Sequence, residues 1–96
     1  MLFINFLMID SVEIIGLTAA ILTTVAFIPQ VIKVISTNSS KGLSLLTFII
    51  FIIGVILWFI YGFFRSSISM ILGNGVTFFL ALIIIVYIIK NKKTNL

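Results

Sequence analysis

The chain has 96 residues, of which 62% are hydrophobic and 8% charged, and its formal net charge is +4. A water-soluble domain carries about 25% charged residues, so this chain cannot cover a water-facing surface and must be solvated largely by lipid. It has no cysteine and no histidine, and Asp10 and Glu13 are its only carboxylates. That excludes disulfides, thiol chemistry, cysteine or histidine metal centres and catalytic triads. The chain is therefore not expected to be an enzyme, and no cofactor is implied.

The first nine residues are apolar, but they lack a basic leading segment and a small-residue cleavage site, so they do not read as a signal peptide. Met8 is an alternative start to Met1. Residues 1–11 are assigned to a short extracytoplasmic segment. Three apolar runs follow, at residues 12–35, 43–64 and 68–89. Each has the roughly 20 residues that a helix needs to cross the hydrocarbon core. The runs do not alternate as barrel strands do, and helices satisfy their own backbone in lipid. The three-helix unit is taken as residues 12–90, with a cytoplasmic basic tail at 91–96. Asp10, three residues before Glu13, suits a helix N-cap with an acidic partner.

Positive charge is uneven. The N-terminal side and the second loop hold only Arg65, whereas the other side holds Lys33, Lys41, Lys90, Lys92 and Lys93. Positive loops stay cytoplasmic, which puts the N-terminus outside and the C-terminus inside. A lysine cluster after a hydrophobic helix reads as an orientation signal, not as a nucleic-acid site.

Polar residues and helix breakers inside the spans carry the functional signal. Pro29 removes one backbone hydrogen bond within the first span, and Gln30 follows it; this is either a hinge or a static kink. Trp58 and Asn74 lie eight positions either side of Ser66, at the centre of the second loop. Antiparallel helices would hold both at one depth, roughly 10 Å inside the outer boundary. Asn74 resists facing lipid, and its amide can both donate to and accept from a hydroxyl-rich ligand. The Trp58 indole offers an apolar platform and one N–H donor. Each also has a structural reading, as interfacial belt residue and as helix–helix glue. Thr23 and Thr24 fall close to the same layer, lining a pocket or bonding back to their own helix. Tyr61 and Arg65, four apart, share a face at the outer end of the second span, as an outer closure or as belt aromatic and snorkelling cation. No ionisable residue lies deep in a span, so an ion-coupled mechanism has no visible machinery.

The ordered set Phe27-Ile28-Pro29-Gln30, then residues 37–44, then Leu57-Trp58-Phe59-Ile60-Tyr61-Gly62 and Asn74 resembles the PQ-loop proteins, and in particular the bacterial SemiSWEET sugar transporters. The resemblance covers residue 12 to about residue 90. It implies an all-α integral membrane fold, with three helices packed in the order first, third, second. It also implies a parallel homodimer that makes a six-helix transporter in the bacterial inner membrane. By the same resemblance Trp58 and Asn74 bind substrate, Pro29 bends the first helix, and Tyr61 and Arg65 form the outer gate. Many relatives carry an acidic residue two positions after that arginine. Here the position is Ser67, so Arg65 is expected to bond instead to Ser67, a carbonyl or Tyr61. The expected function is facilitative, uncoupled movement of a mono- or disaccharide by alternating access. The alternatives are a carrier of another small polar solute, such as an amino acid, and an accessory or pore-forming membrane protein.

Overall fold

Asp10 starts the first helix: its carboxylate accepts from the Glu13 amide at 2.8 Å, satisfying a first-turn N–H that no carbonyl can reach. In the computed structural model, which describes residues 10–94, helix α1 spans Ser11–Thr37, α2 Leu45–Phe64 and α3 Ile68–Thr94. The segment before Asp10, with both candidate starts, and the last two residues lie outside the described residues. All three helices are long and apolar enough to cross a membrane, and no strand occurs among the described residues. Pro29 sits inside α1 without ending it.

The helix ends follow local chemistry that hydropathy does not carry. α1 closes on Asn38, whose left-handed backbone (φ 50°) lets its N–H reach the Ile35 carbonyl. Gly42, at φ 83°, turns the chain where an L side chain would be strained. Ser44 then caps α2 by accepting from the Thr47 amide at 3.2 Å, so the helix begins at Leu45, two residues beyond the start of the apolar run. At the other end of α2 the Ser67 amide bonds the Gly62 carbonyl at 2.8 Å, and Ser66 takes φ 54°. α3 does not stop where the apolar run stops. It continues past Ile89 through Lys90 and Asn91, so most of the predicted basic tail is helical.

α3 lies between the other two helices and packs against both. This is the order first, third, second. The half nearer the first loop is held by Val31 and Val34 of α1 against Ile84 and Ile88 of α3, all buried. The half nearer the second loop relies on close backbone approach. A Cβ on Gly73 would come within 2.9 Å of the Ala20 Cβ, and one on Gly62 within 2.6 Å of the Met70 Cβ. Small residues at such crossings let transmembrane helices gain dispersion contact where the hydrophobic effect offers none. The result is a slab of 51 × 21 × 16 Å. Its outer surface is apolar, with Val12 and Phe64 more than 70% exposed, as a lipid-facing surface requires. The protein is a multi-pass membrane protein.

Candidate functional site

α1 and α2 flank α3 and leave a groove between them. A cavity of about 400 Å³ opens there. Thr23 and Phe27 line it from α1, Phe51, Gly54 and Trp58 from α2, and Asn74 and Thr77 from α3. Three of the residues singled out in the sequence thus meet in one space, from three different helices. No charged side chain lines it.

Each wall has a local cause. Gly54 leaves room, because a Cβ there would meet nothing within 4 Å. Phe27 stacks on Phe51, with centroids 6.3 Å apart and an interplanar angle of 10°, and this pair bridges α1 and α2. Trp58 is half exposed and meets Tyr61 edge-on at 5.5 Å, which orients the indole. Asn74 donates from Nδ2 to the Met70 carbonyl at 2.9 Å. Of its two N–H donors and its carbonyl acceptor, that bond uses one donor. The Thr23 hydroxyl bonds back to the Ala19 and Ala20 carbonyls at 3.0 and 3.2 Å, leaving its lone pairs as acceptors. The chemistry on offer is neutral: three aromatic rings, one amide and two hydroxyls.

Thr24, one residue round the helix from Thr23, is not among the lining residues. Gln30 lines a different cavity beside the first loop, and Pro29 stands between the two on α1. Phe51 and Thr77 were not singled out by the sequence reading. Thr77 lies three residues after Asn74, on the same helix face, and that spacing was the available signal.

The end at the second loop differs from expectation. Glu13 does not fold back on its own helix. Its carboxylate crosses to α3, where it accepts from the Ser69 amide at 2.6 Å and from the Ser67 hydroxyl at 2.9 Å. Both groups lie at the start of α3, where unpaired N–H groups and the helix dipole favour an anion. Gly16, one turn on, lets the helices meet, since a Cβ there would come 2.5 Å from the Ser69 hydroxyl oxygen. Ser67 is therefore committed to Glu13 and Ser69, not to Arg65 as one expectation had it. Arg65 caps α2 with its backbone and its residue is exposed. The ring contact of Tyr61 is with Trp58.

The model of the PQ loop repeat family matches residues 11–71. The chain is 47% identical over 75 residues to the sugar transporter SemiSWEET of Leptospira biflexa serovar Patoc, covering 78% of this chain and 88% of that protein. It is 42% identical over 84 residues to the sugar transporter SemiSWEET of Escherichia coli strain UMEA 3162-1, covering 88% and 94%. The chain belongs to the SemiSWEET group of PQ-loop proteins. A crystal structure of SemiSWEET in the inward-open conformation superposes with a TM-score of 0.83 at 41% identity, over 88% of this chain and 99% of that one. The match to the repeat takes in α1, α2 and the first turn of α3, so it includes Pro29, Trp58 and Arg65 and stops before Asn74. Here the carboxylate near Ser67 comes from another helix, through Glu13.

Proposed function

We propose that this protein carries a small neutral sugar, a mono- or disaccharide, across the membrane by facilitated, uncoupled transport. The observation that carries this reading is the uncharged cavity where Trp58, Asn74 and Thr23 converge. Sugar rings present an apolar C–H face and a rim of hydroxyls. An indole takes the first, and an amide with a neighbouring hydroxyl takes the second. The relatives named sugar transporter SemiSWEET support the substrate class. A zwitterionic amino acid would need a charged partner, and none lines the cavity.

A groove that holds the Asn74 amide and the Thr23 and Thr77 hydroxyls is costly to leave facing lipid. A second copy related by a two-fold axis along the membrane normal closes it, making a six-helix path with two Trp58 and two Asn74. The lysine bias gives every copy one orientation, N-terminus outside and C-terminus cytoplasmic, so the copies are parallel. Transport proceeds by alternating access. The Pro29-Gln30 segment flexes at the inner end, and Tyr61 with Arg65 closes the outer end.

Trp58 is the only tryptophan, which makes intrinsic fluorescence a direct reporter of the cavity. Glucose and sucrose titrated into the purified dimer should change the emission saturably for at least one sugar. Asn74→Leu should abolish that response while helical content is unchanged. A saturable response that persists in Asn74→Leu would remove Asn74 from the binding site.

A further inference from the structure

A second cavity, of about 410 Å³, lies at the inner end. Gln30, Lys33 and Thr37 of α1 line it together with Ser39 and Lys41 of the loop that follows. It continues the groove of the upper cavity. On α1, Gln30 follows Phe27 by three residues, and on α3, Ile84 follows Thr77 by seven, both helical repeats of one face. Whatever occupies it stands between the upper cavity and the lysine-rich end.

Its charge is uncompensated by this chain's carboxylate side chains. The only two, Asp10 and Glu13, are at the start of α1, and Glu13 is bonded to the start of α3. Lys33 lies 20 residues beyond Glu13, about 30 Å along the helix. A parallel second copy would keep its carboxylates at the same far end. No carboxylate side chain faces Lys33 and Lys41, which are both exposed, so an anion from solution or lipid can pair with them.

The lysine-bearing loop is held, not loose. Asn91 is 1% exposed and donates from Nδ2 to the Asn38 carbonyl and the Ser40 hydroxyl oxygen, each at 3.2 Å. The Leu43 amide bonds the Ser40 carbonyl at 3.0 Å. The Ser39 hydroxyl oxygen accepts from the Lys41 amide at 3.3 Å, which leaves its O–H to donate into the cavity. Thr37 spends its O–H on the Lys33 carbonyl. The donors left for a ligand are two ammonium groups, one amide and one hydroxyl.

We propose that this cavity binds a phosphate group, as monoester or diester. Two lysines match a phosphate better than a single carboxylate, and lysine serves phosphate as a compact point charge. Basic pockets between transmembrane helices hold phospholipid head groups on the same physical grounds. The volume exceeds that of phosphate alone and leaves room for a sugar-sized or glycerol-sized body attached to it. The site stands on its own residues, whether or not the upper cavity takes sugar.

The test uses the full-length protein in neutral detergent, and ³¹P NMR follows the binding of inorganic phosphate and glucose 6-phosphate. Lys33→Gln/Lys41→Gln removes both ammonium groups and keeps Lys90, Lys92 and Lys93 of α3 as the remaining orienting charge. Lys33→Arg/Lys41→Arg restores the charge. Saturable binding that weakens at least tenfold in the glutamine variant and returns in the arginine variant assigns the site to soluble phosphate esters. Phosphatidylglycerol retained through purification under native mass spectrometry, lost in the glutamine variant and with no soluble ester bound, assigns it to a lipid head group. If neither probe depends on Lys33 and Lys41, the site does not exist.

Discussion

Glu13 shows what one side chain can do at the end of a membrane helix. Two donors from the start of α3 converge on its carboxylate, at 2.6 and 2.9 Å. Hydrogen bonds to an ionised group are each worth about 1.5–3 kcal/mol, and removing one partner strands the others. Glu13→Ala should therefore lower the thermal midpoint of the detergent-solubilised protein, with a cost of about 1–3 kcal/mol. An unchanged midpoint would mean that water replaces the carboxylate at no cost. None of this was legible in the sequence. Asp10 and Glu13 three apart gave the cap on α1, which forms through the Glu13 amide. The destination of the Glu13 side chain depended on residues more than 50 positions away. Asn74 was legible because an amide inside an apolar run has few affordable environments. Thr77 was not, because a threonine in a membrane helix satisfies itself too easily to stand out.

At the scale of the helix, the spans follow from apolar length, and their ends do not. Ser44 and Gly42 delay α2, and the Asn91 contacts with the first loop draw α3 onward past its apolar run. These are polar and backbone effects that hydropathy does not see. Packing between helices gives a paired prediction. Gly62→Val must push against the Met70 Cβ, whereas a Cβ on Gly54 meets open space. Overpacking of this kind costs about 1–3 kcal/mol, so Gly62→Val should melt earlier and Gly54→Ala should melt normally. Gly54 borders the upper cavity, so Gly54→Ala should nevertheless weaken transport of the larger sugar more than of the smaller. Equal midpoints for the two variants would contradict the close α2–α3 approach. Pro29 offers a separate test. Alanine restores the missing N–H and raises helix propensity. Pro29→Ala should preserve the dimer and its stability but slow flux; full activity in that variant would end the hinge reading.

The whole molecule is a thin slab whose groove has no cover among its own helices. Three helices enclose no lumen, so the transport account requires the second copy. The order first, third, second came to the sequence reading only through the resemblance to PQ-loop proteins; hydropathy carries no information on which helix lies in the middle. The depth match between Trp58 and Asn74 was legible, because a short loop between antiparallel helices fixes depth from numbering alone. Their meeting with Thr23 across α1 needed the fold. The central claim is that sugar passes through this cavity, and counterflow tests it most directly. Labelled glucose and sucrose would be followed into liposomes holding the purified protein, beside Trp58→Ala and Asn74→Ala. The account predicts uptake of at least one sugar, unaffected by collapsing the proton gradient, and lost in both variants while their dimers stay intact. No uptake of either sugar by a folded dimer, or uptake that both variants retain, would contradict it.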